Sequence, residues 1–397
     1  MRKGIEYYVL AIGSITAFGE NMLYSLLSLY LRQDLGLSNI ELGAFFLVLS
    51  VSSIVLRIPV GILADIFNRA LLVLAGLALL LLGRVLLVVG DTVIVYASAI
   101  LLGLGVSMYY IPHAALTADV SRTERSGAML VIFSKLNLLT LIMGALGLTV
   151  GGYVSRYLGR VSMIVSSAVV IAIALVITAR LAYIMQVESR GLSSVKNLLK
   201  ELANSVRDRF LVIYLTAFFG SGVFHASFVF LQVLLGLGYE LSDDIIGVLL
   251  TIFSIISAVT GYYAGKIFSS KRRRELIRIQ ALTWLGIGVL SLLAFLSTPL
   301  PLLIVTLSLL YALLGVIYPV GNAVLYSYIA PHLRATVGNI MGMVWRTGYS
   351  VGSATAPYLV DSMGLRAFLL QACIAALATY YLVYKSRIKY LERKSRS

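Results

Sequence analysis

Glu20, Lys135, His225 and Arg346 each interrupt a long apolar run. An ionisable group held there costs about 2.5–3.5 kcal/mol on the lower scales unless it is paired or faces water, so each needs a role or a partner. Glu20 lies thirteen residues after Tyr7, roughly 20 Å along a helix. A desolvated carboxylate there favours its protonated form and can carry a proton; the alternative is a structural acid bonded to a neighbouring arginine. Lys135 and Arg346 fall 23 and 27 residues after Pro112 and Pro319. They differ by about one helical turn, which predicts related depths in two halves of the chain. Two cations facing one cavity would attract an anionic group on a solute, whereas singly each can pair with an acid or cap carbonyls. His225, near Gly222 and Ser227, is either an imidazole titrating near neutral pH or a packing residue. Tyr24 and Tyr110 supply aromatic surface for a pocket wall or for interfacial anchoring.

The elements that position these groups must be membrane helices. The 397 residues are 60% hydrophobic and only 12% charged, with a mean hydropathy of +0.96. A soluble domain carries about 25% charged residues, so this chain cannot cover itself with polar surface. The net charge of +15 raises the question of nucleic acid. The basic residues, however, sit in the gaps between apolar runs and form no continuous patch, which points to membrane lipids and excludes nucleic acid as a partner. The single cysteine, Cys373, rules out a disulfide framework. No P-loop, H-E-x-x-H or C-x-x-C is found, and the three histidines at 113, 225 and 332 are scattered. No metal, cofactor or enzymatic chemistry is implied.

A spanning helix needs about 20 apolar residues. That length predicts helices over 7–31, 40–62, 70–90, 92–118, 127–154, 161–183, 210–236, 244–268, 275–297, 302–329, 336–360 and 365–385. Residues 1–183 and 210–397 then form two six-helix bundles, the second with a basic tail. Residues 184–209 join them. Within that linker Val195, Leu198, Leu199, Leu202 and Val206 share one face of a short basic helix expected to lie in the inner interface. Of the 32 lysines and arginines, Arg32, Arg156, Arg160 and Arg366 fall on the outer side, and Arg57, Arg84, Lys135 and Arg346 fall within helices. All the others are on the inner side. This bias predicts that both termini are cytoplasmic.

The halves repeat. Gly61 and Gly261, 200 residues apart, each end the second helix of their half, the first followed by Leu63, Asp65 and Arg69 and the second by Lys271 and Arg272. Pro112 followed by Arg125 matches Pro319 followed by Arg334. Parallel six-helix repeats are a known build for secondary transporters, with the solute near mid-membrane. On these residues the chain resembles the major facilitator superfamily over its full length, with the loop pattern G-x-L-a-D-r-x-G-R-K. Gly61, Leu63, Ala64, Asp65 and Arg69 match it, while Asn68 replaces the second glycine and Ile66 an arginine. Gly147, Gly151 and Gly152 resemble an antiporter pattern with Leu148 in place of proline, or serve close helix packing. The drug–proton exchanger pattern R-x-x-Q-G is missing, since Ala99 and Leu102 precede Gly103.

What the resemblance implies is an all-α membrane protein of twelve transmembrane helices in two six-helix bundles. It implies a monomer in the plasma membrane that moves a small organic solute by alternating access, coupled to protons. The cations favour an anionic solute. Multidrug or amphiphile efflux is the alternative, and a channel or membrane-embedded enzyme would be a different class altogether. It further implies that Asp65 is a gate residue facing the start of the eleventh helix at residues 335–337, where the helix dipole would hold it. Arg84 would snorkel, or pair with Asp91 or Glu20.

Overall fold

The computed structural model describes residues 2–121, 126–185, 208–268, 271–328 and 334–394, with the side chains at 62, 65–66, 118–135 and 326–336 among those left aside. The linker helix expected at 193–207 therefore lies outside the described residues, as do the side chains of Asp65 and Lys135.

Among the described residues there are twelve long helices: α1 (Arg2–Tyr24), α2 (Asn39–Ile66), α3 (Arg69–Val89), α4 (Thr92–Ser121), α5 (Ser126–Leu158), α6 (Arg160–Ile184), α7 (Arg209–Ser227), α8 (Asp243–Phe268), α9 (Arg273–Leu296), α10 (Leu300–Tyr328), α11 (Arg334–Met363) and α12 (Ala367–Lys394). Ten are long and apolar enough to cross a membrane. The other two are α1 and α11, the helices that carry Glu20 and Arg346. Their polar residues dilute the apolar window, as expected of helices whose polar residues face protein instead of lipid.

Helix starts and stops follow local chemistry. Ser38 and Glu41 close a reciprocal capping box on α2, with the Glu41 amide 3.2 Å from Ser38 Oγ and the Ser38 amide 2.7 Å from Glu41 Oε2. Asp91 accepts from the Val93 amide at 2.9 Å as α4 begins, and Asp208 from the Phe210 amide at 2.9 Å as α7 begins. Gly159 (φ 87°) and Gly364 (φ 88°) make corresponding left-handed turns before the last helix of each half.

Packing divides the chain into two compact units, Met1–Ser193 with Leu235–Thr251, and Ser194–Leu234 with Ile252–Ser397. The first nine residues of α8 therefore cluster with the first unit. Each unit repeats one plan. In the first, α1 packs on α5 and α6, and α3 packs on α4 and α6; in the second, α7 packs on α11 and α12, and α9 on α10 and α12.

The helices approach closely where glycine faces a backbone. A Cβ at Gly147 would collide with the Phe18 carbonyl, and one at Gly348 with the Phe219 carbonyl. A Cβ at Gly151 would meet the Met22 carbonyl at 2.6 Å, and one at Gly352 the Val223 carbonyl at 2.8 Å. Each member of these pairs lies 201 residues from its counterpart. The contact of Gly144 with Asn21 and that of Gly222 with Trp345 keep the same offset, with the small residue exchanged between helices. The glycines at 144, 147 and 151 thus serve close packing of α5 on α1.

Candidate functional site

In the first unit the buried charge is a pair. Arg84 on α3 is fully buried and Glu20 on α1 nearly so, and the guanidinium donates to Glu20 Oε1 as an ion pair. A second Arg84 nitrogen donates to the Leu80 carbonyl one turn back at 2.8 Å. Of the two partners the sequence offers Arg84, Asp91 and Glu20, the fold selects Glu20.

Around the pair, α4 contributes a buried aromatic step. The Tyr109 and His113 rings stack at 5.2 Å, and Tyr109 and Tyr110 meet edge-on at 4.8 Å. His113 Nε2 lies 3.1 Å from the Val9 carbonyl on α1. Tyr110 itself is half exposed, while Tyr24 is partly buried.

In the second unit the polar cluster joins α7 and α11. His225 Nδ1 donates to the Ser221 carbonyl at 2.7 Å, and because a carbonyl only accepts, the neutral ring presents Nε2 as an acceptor. The imidazole meets Trp345 at 5.6 Å. The Arg346 guanidinium carbon lies 5.4 Å from the centre of the Trp345 ring and 6.0 Å from that of Tyr349, a cation held against two π faces. Closeness here rests on Gly222, where a Cβ would strike the Trp345 carbonyl. His225 and Arg346 are thus brought into one cluster. Sequence reasoning missed Trp345 and Tyr349. The signal was present in their positions, one before and three after Arg346, so that all three share part of a helix face.

The 201-residue repeat corrects one expectation. It places Tyr24 opposite His225 and Glu20 opposite Ser221, but Arg346 opposite Ala145 and Lys135 opposite Thr336. Lys135 and Arg346 are therefore ten residues out of step, about 15 Å along the helix. Counting from the prolines misleads because Pro112 and Pro319 are 207 residues apart, six more than the 201-residue offset.

The loop after α2 is built as a tie. Asn68 Oδ1 caps α3 by accepting from the Ala70 amide at 2.9 Å, and its Nδ2 donates to the Met185 carbonyl just past α6, also at 2.9 Å. Arg69 Nε donates to the Ala64 carbonyl at 2.8 Å and its Nη1 reaches the Ala115 carbonyl on α4 at 3.4 Å. Gly61 and Leu63 are partly buried in the same turn. In the second unit a Cβ on Gly261 would lie 2.9 Å from the Gly315 carbonyl, whereas Lys271 and Arg272 are exposed.

Twelve long helices in two repeats, with an ion pair buried between α1 and α3 and a partly buried guanidinium on α11, describe a multi-pass membrane protein. The profile of the Major Facilitator Superfamily matches residues 9–282 and again 236–396, and the chain belongs to that family. It is a transporter and not an enzyme. No curated protein matches the chain. Among solved structures the fold is similar to that of the nucleoside transporter NupG, as the D323A mutant, at 12% identity and a TM-score of 0.76, covering 97% of this chain and 100% of that one. It is likewise similar to a D-xylose–proton symporter at 14% identity and a TM-score of 0.71, covering 94% and 96%.

Proposed function

We propose that this transporter takes a small organic solute carrying an anionic group and couples its movement to protons. It would do so as a monomer in the plasma membrane with both termini in the cytoplasm. The observation that carries the solute reading is Arg346, a guanidinium on a membrane helix flanked by Trp345, Tyr349 and His225. A carboxylate or phosphate can bind its edge while aromatic surface lies alongside. Trp345 and Tyr349 lie against the guanidinium. Glu20 is the proton-binding group, and its protonation frees Arg84, so that one binding event alters the contact between α1 and α3. Asp65 is proposed as a gate residue and Lys135 as a second cation at a different level. The strongly basic inner loops support the orientation.

A second reading follows from the solved structures of similar fold, one of a nucleoside transporter and one of a D-xylose–proton symporter. In it the same cluster hydrogen-bonds a neutral hydroxylated solute. Thermal-shift screening of purified protein against aromatic carboxylates, nucleosides, pentoses and lipophilic cations separates the two. The anionic reading expects carboxylates to stabilise the wild type and not Arg346→Gln. Stabilisation by a nucleoside or pentose that survives Arg346→Gln would replace it, and a preference for lipophilic cations would revive efflux of amphiphiles. Uptake of the stabilising compound into proteoliposomes, driven by an imposed pH gradient, then tests coupling.

A further inference from the structure

In the second unit α7, α11 and α12 frame a groove of about 510 Å³. Gly220, Ala375 and Ala378 give it a floor of small residues, and Phe219, Tyr358 and Leu382 stand around them. Its α7 and α12 walls lie inside Arg209–Gly238 and Ala367–Lys389, two stretches long and apolar enough to cross a membrane. Tyr358 and Ile374 remain 62% and 60% exposed, so no described helix closes over the groove.

The wall is built for hydrocarbon. It includes three polar side chains, and the protein satisfies each of them. Thr216 Oγ1 donates to the Val212 carbonyl at 2.8 Å, Thr355 Oγ1 to the Val351 carbonyl at 2.9 Å, and Gln371 Nε2 to the Gly352 carbonyl at 3.0 Å. The surface left to an occupant is almost wholly apolar, as a wall facing acyl chains requires, because a bilayer core offers no hydrogen-bond partners.

Cations stand at one end. A Cβ on Gly220 would lie 3.4 Å from the Ala375 carbonyl, while Phe210 and Tyr214 share an apolar core with Val383, so α7 and α12 run in opposite directions. From Gly220, Arg209 is eleven residues back along α7; from Ala375, Lys385 is ten residues on along α12. These steps are about 16 and 15 Å in the same direction. Both side chains are exposed. Ala378, Leu382 and Lys385 follow one another at helical spacing, and Arg209 lies two turns from Thr216, which keeps both cations on the groove's faces. Lys385 Nζ is 5.9 Å from the centre of the Tyr381 ring. The neighbouring acid, Asp208, uses Oδ1 to cap the Phe210 amide at 2.9 Å.

We propose that this groove binds one anionic phospholipid, with an acyl chain between α7, α11 and α12 and the phosphate between Arg209 and Lys385. The apolar slot accepts the chain, and the two cations at its mouth select a headgroup of net negative charge over a zwitterionic one. The groove shares no lining residue with the cluster around Arg346. The site needs only the membrane placement of the fold, and neither the solute nor the proton coupling proposed above. Its assignment to the inner leaflet rests on the orientation proposed there.

The test is lipid titration of the full-length protein, purified in a delipidating detergent and read by native mass spectrometry. Dioleoyl phosphatidylglycerol is expected to bind as a single saturable adduct, about five- to thirtyfold tighter than dioleoyl phosphatidylcholine, since each basic residue beside an anionic headgroup contributes about fivefold. Arg209→Gln and Lys385→Gln should each remove about fivefold from phosphatidylglycerol binding and leave phosphatidylcholine unchanged, while Lys385→Arg keeps both. Ala378→Trp fills the floor from an exposed position and should weaken both lipids alike; Ala378→Leu repeats this arm if tryptophan prevents folding. Arg274→Gln with Arg278→Gln, exposed on α9, is the control for diffuse attraction to a chain of net charge +15. An equal loss in that control, a preference for phosphatidylglycerol that survives removal of both cations, or full binding to the filled groove would each overturn the site. Dihexanoyl phosphatidylglycerol has the same headgroup on short chains and should bind far more weakly. Equal binding would mean that the phosphate alone is held, and would overturn the groove as the chain's site.

Discussion

Arg84 on α3 and Glu20 on α1, 64 residues apart in sequence, form a buried ion pair in which the arginine is fully enclosed. Breaking such a pair from one side leaves a charge without a counter-charge, at a cost of about 3–5 kcal/mol, whereas removing both sides costs much less. Glu20→Gln and Arg84→Gln are each expected to lower the thermal midpoint strongly, and the double substitution less than the sum of the two. Intrinsic fluorescence of Trp284 and Trp345 during heating follows this. Strict additivity would mean the two residues act separately.

Corresponding glycines should respond alike. Gly147→Ala and Gly348→Ala each drive a methyl into a facing backbone carbonyl, and overpacking of this kind costs about 1–3 kcal/mol. Gly265, with nothing within 4 Å of a built Cβ, should tolerate alanine and gain up to about 1 kcal/mol of helix propensity. Unfolding in detergent with added denaturant measures all three, and a neutral Gly348→Ala would contradict the packing account.

Asn68 stands where the family loop pattern has glycine, and it both caps α3 and donates to Met185. Asn68→Ala should destabilise by about 0.5–2 kcal/mol, and Asn68→Gly by less through the cap alone. Amide exchange in the first turn of α3 and around Met185 should quicken together. If only the α3 turn responds, the bond to Met185 does not hold the two regions together.

Trp345 and Tyr349 are expected to matter through Arg346. Trp345→Ala should weaken binding of the stabilising anion about two- to thirtyfold, the range of a partly desolvated cation–π contact, while Trp345→Phe keeps most of it. Calorimetric titration reads the difference. Equal affinity in wild type and Trp345→Ala would remove Trp345 from the solute site.

Much of the fold is legible because its determinants are local. Apolar run length sets the helices, and Ser38, Asp91 and Asp208 mark where three of them start. The repeat too is visible, in Gly61 with Gly261 and Pro112 with Pro319. Its register is not. The 201-residue offset is carried by glycines facing carbonyls on another helix, and a glycine in an apolar run does not announce what it touches. That is why counting from prolines set Lys135 beside Arg346.

The chain by itself determined twelve long helices, a repeat between its two halves, basic residues in the gaps between apolar runs, and the family. Those properties depend on composition and spacing along one strand of sequence. The tertiary structure alone decided that Arg84 takes Glu20, that Arg346 lies against Trp345 and Tyr349 near His225, and that the start of α8 joins the first unit through Arg160. An ionic or aromatic partner is chosen by which helix faces meet and at what height. With 3.6 residues per turn, a shift of one or two positions sends a side chain to another neighbour.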